Sequence, residues 1–329
     1  MNDDETERAL RDSLRTPALS AEALQRIRRA TEAEWRATLT PRPARHWAPA
    51  IAAAVVVAVA LGAVGMRLKP WSEPGEPVGQ LARAEAPGMV LEGGWLRPDQ
   101  VVSTGADLRV GERFDARGAS LVALPAGGNL RIAPASKLDV IARNSIRLAA
   151  GELYVDFPRG SESKDFTVVT NAGEFRHVGT QFALAVIDGG TRLRVREGRV
   201  EWRTGEDQST VGAGTEIFID RGRNVTRRDI EPAGADWTWT EALAPVIDIE
   251  DQPLAAFLDW VSRETGRKLV VADEQTHTQI RAIRTHGDVR GLTPMQALTA
   301  VTSSTTLHFD VSDDAIRVSL ASENSRPPG

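Results

Sequence analysis

The sequence predicts a single-pass membrane protein whose all-β central domain, a sandwich or a β-helix-like coil of short strands, is followed by a small α+β domain. Three observations lead to this fold class. Residues 48–66 contain no charged side chain, and residues 90–232 alternate apolar and polar residues in short segments separated by glycines. Residues 235–320 switch between strand-like and helix-like patterns.

The first 47 residues are predicted to form a helical tail. Ser20 is a good N-cap residue, and apolar side chains follow it three or four residues apart, on one stripe of a helix. This stripe contains Leu24, Ile27, Trp35 and Leu39. A tail this short cannot bury a core of its own. Two interpretations therefore stay open: a solvated helix beside the membrane, or a helix that binds a cytoplasmic protein through these four side chains.

Residues 48–66 are predicted to form one transmembrane helix. Nineteen residues make a helix roughly 28 Å long, about the thickness of the hydrocarbon core of a bilayer. A cleaved signal peptide would start closer to the first residue, and a buried core helix would be shorter and have a polar face. More basic residues precede the stretch than follow it, which predicts a cytoplasmic N-terminus and a large body on the other side. The basic residues in the twenty positions before the stretch are Arg28, Arg29, Arg36, Arg42 and Arg45. Those in the twenty positions after the stretch are Arg67, Lys69 and Arg83.

A linker is predicted over residues 67–89, because prolines and glycines in this stretch disfavour long regular structure. From residue 90 to residue 232 the pattern changes to short strands. Alternation is clear in segments such as Leu153-Tyr154-Val155, Phe182-Ala183-Leu184 and Leu193-Arg194-Val195. No window of ten residues in this region has helical periodicity. The region is therefore predicted to be all β.

Residues 235–320 are predicted to form the small α+β domain. Val246 to Ile249 is a predicted strand, and a helix follows that Asp251 caps and Gly266 ends. Further strands are predicted over 268–272 and 278–287, then a helix from Thr293 and a hairpin over 307–320. Residues 321–329 are too polar to contribute to a core.

Composition argues against several classes of function. The chain has 329 residues, a net charge of −5 and no cysteine. The lack of a basic excess argues against direct binding of nucleic acid, and the lack of cysteine removes thiol catalysis, thiolate metal sites and disulfides. His277 and His286 lie near three carboxylates, but two imidazoles without a third ligand make a weak metal site. No constellation typical of a catalytic site is present, so we expect neither an enzyme nor a cofactor nor a metal.

Several short motifs follow one another through the central region. They are Leu124-Pro125, Ala135-Ser136-Lys137-Leu138, Arg147 to Val155, Val178-Gly179-Thr180-Gln181-Phe182, Val195 to Val200 and Ala213-Gly214. In order and spacing they resemble the central domain of FecR-type regulators. The family usually has Asp-Gly-Ser after Leu-Pro, where this chain has Ala126-Gly127-Gly128, so no role that depends on an acidic turn carries over. The glycines permit the positive φ angles of tight turns, so the motifs are expected to form scaffold.

The resemblance implies an anti-sigma-type regulator in the cell inner membrane. Residues 1–47 would bind an extracytoplasmic-function (ECF) sigma factor in the cytoplasm, and proteolysis near or within the span, around Gly62 and Gly65, would transmit the signal. The body of the protein would lie in the periplasm and meet a periplasmic or outer-membrane partner, such as a TonB-dependent transporter. An alternative is an envelope-anchored binding or assembly module without sigma-factor control, because the tail is short and lacks the family's second tryptophan motif.

The C-terminal residues 235–320 are similar to the secretin and TonB short N-terminal (STN) domain. The similarity is in the repeated strand, helix, strand order, with Gln252-Pro253-Leu254 and Thr265-Gly266 at matching places. Leu254, Phe257 and Leu258 line one face of the first predicted helix and are the predicted partner-binding residues of this region.

Overall fold

The central part of the chain forms one hydrogen-bonded sheet folded around an apolar core. The structure, a computed structural model, describes residues 75–93, 98–158, 165–303 and 305–320, which all belong to one unit of the chain. The predicted tail, transmembrane helix, first part of the linker and C-terminal residues 321–329 lie outside the described residues. Within the described ranges, no helix has both the length and the hydropathy needed to cross a bilayer.

Fifteen strands of the described chain make up this sheet, which we call the central sheet. They are β1 (Pro77–Ala84), β2 (Met89–Leu91), β3 (Gln100–Val101), β4 (Asp107–Arg109), β5 (Arg113–Ala116), β6 (Ser120–Ala123), β7 (Asn129–Ile132), β8 (Ser136–Ala142), β9 (Ser145–Asp156), β10 (Thr167–Thr170), β11 (Gly173–Ile187), β12 (Gly190–Thr204), β13 (Asp207–Gly212), β14 (Thr215–Asp220) and β15 (Val225–Asp229). All pairs are antiparallel except β9 with β10. The described part of this region contains only one short 3₁₀ turn, Pro125–Gly127, which confirms the prediction of a predominantly β structure.

The two longest strands, β11 and β12, connect two parts of the sheet. The second half of β11 and the first half of β12 lie side by side, with β9 and β14 as their outer neighbours. The first half of β11 and the second half of β12 have β10 and β13 as outer neighbours. Between the two halves the register shifts after Val178 and again after Gln181. Such a bulge bends a strand and increases its twist. The same two strands can therefore contribute to both ends of the sheet around a single core.

The core of the central sheet follows the predicted alternation of side chains. Leu153, Val155, Phe182, Leu193 and Val195 point to the inner face and are fully buried. Because successive residues of a strand point to opposite faces, the residues between them lie on the outer face.

Strand β1 corrects one sequence prediction. It lies inside the predicted linker of residues 67–89, so this half of the linker prediction is wrong. Val78 and Leu81 belong to the core, and β1 pairs with β4 and β6. The physical reason is that Pro77 opens the strand, where a missing N–H costs little, and no proline follows until Pro87.

The C-terminal region, residues 245–320, has mixed helix and strand structure. The helices of this region and of the segment before it are α1 (Thr238–Ala242), α2 (Leu254–Thr265), α3 (Glu274–Ala282) and α4 (Pro294–Thr302), and the strands are β16 (Gln252–Pro253), β17 (Lys268–Val271), β18 (Arg284–Thr285), β19 (Leu307–Val311) and β20 (Ala315–Leu320). Strands β17, β20 and β19 form a small sheet in that order, and β16 pairs with β18. A capping box formed by Thr293 and Gln296 starts α4, and Gly266, with φ of 71°, ends α2 as predicted.

Three local predictions in this region are wrong. The first half of the strand predicted over 278–287 is helix α3, because the Asp273 side chain accepts a hydrogen bond from the Thr276 N–H and caps the helix. Only Arg284–Thr285 of this segment forms a strand, β18. Residues 246–249 form no strand. Asp251 does not cap α2: it has φ of 54°, and Pro253 occupies the cap position without a side-chain bond.

Candidate functional site

The outer face of the central sheet carries charged side chains that are nevertheless buried. Arg131 on β7, and Arg194 and Arg196 on β12, are at most 6% exposed. They alternate with core residues and so point away from the core. Residues 230–244 and the C-terminal end of α2 cover this face, as the contacts below show. We call the group Arg131, Asp156, Arg196, Arg263 and Glu264 the charged seam, because it joins the sheet to α2.

Arg131 lies at the centre of the charged seam. Its Nη2 donates to Oε2 of Glu264 at 2.5 Å and lies 3.5 Å from Oδ2 of Asp156. Its Nη1 donates to the carbonyl of Thr240 at 2.7 Å, and its Nε donates to the side chain of Asn129 at 3.1 Å. One guanidinium group therefore contacts both carboxylates and a backbone carbonyl. A buried cation requires this degree of pairing.

Arg263 provides a second connection from α2 to the sheet. Its Nη2 donates to Oδ1 of Asp156 and, at 3.0 Å, to the carbonyl of Phe157. Its Nη1 lies 3.6 Å from Oε2 of Glu197. In the opposite direction, Nε2 of Gln181 donates to the backbone carbonyl of Arg263 at 3.3 Å. The last turn of α2 is therefore bound through both its side chain and its main chain.

Arg196 binds the carbonyl groups at the end of α2. Its Nη1 donates to the carbonyl of Glu264 at 3.0 Å, and its Nε donates to the carbonyl of Pro232 at 2.6 Å. Helix carbonyls near a C-terminus lack partners within the helix and attract cations. The approach is close here: a Cβ on Gly266 would lie 2.0 Å from the oxygen of Pro232. Only glycine therefore fits at this position without movement of the backbone.

Burial changes the acid–base properties of the charged seam. Burial raises the pKa of the Glu264 carboxyl above its ordinary value, although Arg131 opposes the shift. For Arg131, burial works against the charged form, but Glu264, Tyr154 and Asp156 together raise its pKa. Burial also raises the pKa of the Tyr154 hydroxyl to about 12. Arg131 therefore stays charged in the charged seam. Burial instead favours the neutral form of Glu264, the carboxylate that α2 contributes.

The segment between the sheet and the C-terminal region is anchored on the same face. Trp237 is fully buried, its ring meets Tyr154 edge-on at 6.0 Å, and the guanidinium of Arg196 lies 4.8 Å from its centre. Arg194 pairs with Glu216 at 2.8 Å on the sheet and with Asp236 at 3.3 Å in the segment. Aromatic packing and ion pairs therefore hold residues 230–242 against the sheet.

The bulge in β11 and β12 positions two partners of Arg263. Gly179 and Gly198 have φ of 61° and 77°, and a Cβ on Gly198 would lie 2.4 Å from the oxygen of Gly179. Gln181 and Glu197 flank this close approach and both reach Arg263. These residues belong to the Gly-Thr-x-Phe and Glu-Gly-x-Val motifs. The motifs were predicted to be scaffold, and here they also form the surface on which α2 binds.

A separate cleft of about 450 Å³ lies in the C-terminal region. Ile249, Ile283, Thr285 and Val289 contribute to its wall, and His286 lies at it with its Nδ1 3.0 Å from Glu250. Among the described residues, no group of three or more His, Asp or Glu side chains is placed to hold a metal ion. We therefore take the charged seam, with its dense pairing, as the candidate functional site.

The predicted site residues fall in two groups. Leu24, Ile27, Trp35 and Leu39 lie outside the described residues. Leu254, Phe257 and Leu258 are fully buried in the core of the C-terminal region, where they pack against residues of its small sheet and of α4. As placed here they fill a core and present no surface to a partner. The apolar stripe of α2 was correctly identified, but the partner it packs against is the chain itself.

The residues of the charged seam were missed because sequence alone does not show which polar faces are covered. One signal was available on β12, where Arg192, Arg194 and Arg196 alternate with Leu193 and Val195. Three cations in a row on one strand face repel one another unless acidic groups lie nearby. Their acidic partners Glu152, Glu216 and Glu241 lie on other elements of the chain, so the pattern alone could not identify them.

Comparison with known proteins finds similarity over the central region. Residues 112–201 match the family model described as FecR protein. Two solved structures of a candidate anti-sigma factor from Parabacteroides distasonis ATCC 8503, at 2.50 and 1.65 Å resolution, are similar to the chain with 17% identity and TM-scores of 0.31 and 0.32. Each alignment covers 62% of this chain and 95% of that protein. None of the curated proteins matches. The match to the FecR model covers the strands that carry most of the charged outer face.

Proposed function

We propose that this chain is a membrane-anchored regulator of sigma-factor signalling. The observation that carries the proposal is the FecR match over residues 112–201. The bulge motifs and the covered outer face lie in that segment, so the matched region includes the sheet side of the charged seam. The charges of the charged seam are paired with one another, which supports a role in protein contacts more than the binding of a small ligand.

In this proposal residues 48–66 cross the inner membrane once, with the N-terminus in the cytoplasm. The support comes from the uncharged stretch and from the excess of basic residues before it. The described region would then lie in the periplasm. Its C-terminal region, similar in sequence to STN domains, would receive the signal from a periplasmic or outer-membrane partner, such as a TonB-dependent transporter.

The cytoplasmic output in this proposal is an ECF sigma factor bound by residues 1–47. An amphipathic helix typically binds a groove through apolar side chains at helical spacing. Leu24, Ile27, Trp35 and Leu39 have that spacing. Arginines on the other faces of the same helix would increase the association rate.

The test is co-purification of the full-length chain from membranes with each ECF sigma factor of the source organism. We expect one sigma factor to be retained, and Leu24→Ala and Trp35→Ala to lose it. Truncating an anchor residue costs roughly 1–4 kcal/mol at such contacts, which corresponds to a loss of about 5-fold to about 800-fold in affinity. Gln25→Ala is the matched control, because it lies on the same predicted helix but off the apolar stripe. Retention of the sigma factor by both anchor variants would contradict the proposed contact, and retention of no sigma factor would favour the envelope-anchored module.

A further inference from the structure

We propose that the C-terminal region can leave the central sheet as one body, and that Arg263 and Glu264 at the end of α2 are the releasable contacts. The segment that carries Trp237 and α1 stays on the sheet in this motion. The use of this motion as a signalling step rests on the proposed function, but the motion itself is a property of the charged seam.

The first argument is the chemistry of the interface. The core of the central sheet and the core of the C-terminal region share no residue among the described parts of the chain. The small cluster of Tyr154, Ala183 and Trp237 joins the sheet to the preceding segment and not to α2. The contacts that join α2 directly to the sheet are ion pairs and hydrogen bonds. Helix α2 also lies beside α1, and this smaller contact must open as well. Water can replace such contacts on both surfaces, whereas separating an apolar interface exposes apolar area.

The second argument is that the sheet keeps partners for its own charges when α2 leaves. Arg131 would retain Asn129, the carbonyl of Thr240 and Asp156. Asp156 would in turn retain Arg131 and the amide of Asn129, at 3.4 Å. Arg196 would retain the carbonyl of Pro232 and the ring of Trp237. Arg131, Asp156 and Arg196 therefore each keep a partner when α2 leaves, which lowers the cost of opening this buried ionic interface.

The third argument is the position of a hinge. Residues 230–242 are bound to the sheet by Trp237, by the pair of Arg194 with Asp236, and by Arg83, which donates to the carbonyl of Ala242 at 2.7 Å. Residues 245–248 follow with no helix or strand, and Val246 is 58% exposed. Ile247 packs against the core of the C-terminal region, so the hinge lies before it, at residues 245 and 246, where the exposed chain can absorb a change in backbone angles.

The experiment measures the distance between two spin labels on the full-length chain. Because the chain has no cysteine, Asp188→Cys and Asp313→Cys introduce the only two labelling sites. Asp188 is exposed in the turn between β11 and β12, and Asp313 is exposed in the turn between β19 and β20. With the native seam we expect one narrow distance. With Arg263→Met we expect a second, longer distance, with roughly a tenfold or larger rise in the ratio of open to docked molecules, since hydrogen bonds to charged groups are strong.

Arg176→Met is the matched control. Arg176 pairs with Glu201 at 2.5 Å, but both residues lie on the central sheet, so the distance should remain narrow. Raising the salt from about 0.1 M to about 1 M should enlarge the open population of the Arg263 variant further by screening the remaining charges. Circular dichroism and a cooperative thermal transition show that each variant is folded.

Glu197→Gln is a milder second variant, for use if Arg263→Met does not fold. It removes one carboxylate that faces Arg263, and we expect a smaller shift in the same direction. One unchanged narrow distance in the folded variants at both salt concentrations would overturn the proposal. The measurement needs no sigma factor, so its outcome is independent of the co-purification experiment.

Discussion

The two faces of strand β12 are both buried but are stabilised in different ways. On the inner face, Leu193 and Val195 are 0% exposed within the apolar core. On the outer face, Arg194 and Arg196 are 6% and 4% exposed among carboxylates and carbonyls. Apolar burial stabilises in proportion to the area removed from water, whichever neighbours remove it. Buried charge is tolerated only while each partner is present. The inner face is therefore robust to rearrangement, and the outer face depends on particular pairs.

The largest effect is expected from removing Arg131, because Glu264 and Asp156 would lose their shared partner. Arg131→Met should lower the free energy of unfolding by about 3–5 kcal/mol, the usual cost of breaking a buried pair from one side. The double variant Arg131→Met/Glu264→Met should recover much of this loss, because it removes both charges and leaves Asp156 with Arg263. Urea unfolding of both single variants and the double variant measures the coupling. Strictly additive costs would show that the two residues do not act as a pair.

These expectations also show how far the sequence could predict the molecule. Alternation identified the inner face of the central sheet, because the segments around Leu153, Phe182 and Leu193 are regular and local. The outer face was not predicted, since Arg131 and Glu264 are 133 residues apart and become partners only when α2 folds onto the sheet. The burial of Leu254 within the chain was not predicted for the same reason: an apolar stripe does not reveal whether it packs against the chain itself or against another protein.

The bulge that shapes the outer face gives the next largest expected effect. Gly198→Ala combines a positive φ of 77° with a Cβ that would lie 2.4 Å from the oxygen of Gly179. Strain and overpacking together should lower the free energy of unfolding by about 2–4 kcal/mol. Gly179→Ala is the matched control in the same bulge, because it has φ of 61° but open space around its Cβ. It should cost only about 1 kcal/mol. Equal losses in thermal or urea unfolding would show that the close approach contributes nothing.

A pH series tests whether the outer face depends on ionised carboxylates. Burial works against the charged form of Glu216, but hydrogen bonds from Arg228 and Arg194 lower its pKa below the ordinary value of 4.5. A carboxylate whose pKa is lower in the folded state stabilises the folded protein above about pH 4.5. This stabilisation is lost as the pH falls through the folded-state pKa. Glu216→Gln should therefore lower the free energy of unfolding by about 1–2 kcal/mol at pH 7. The difference from the parent should narrow as the pH falls from 4.5 towards 3, and a constant difference would contradict ionic stabilisation.

The smallest effect is expected from an ion pair of similar chemistry in contact with water. Arg176 and Glu201 lie 2.5 Å apart, the same distance as Arg131 and Glu264, but their side chains are 42% and 24% exposed. Arg176→Ala should change the free energy of unfolding by no more than about 1 kcal/mol, because water and salt screen an exposed pair and hydrate the carboxylate left behind. The change should shrink further in about 1 M salt. A loss as large as that for Arg131→Met would show that the distance between the charged groups, and not their burial, determines the cost. The comparison therefore separates geometry from solvent access as the source of stability on the outer face.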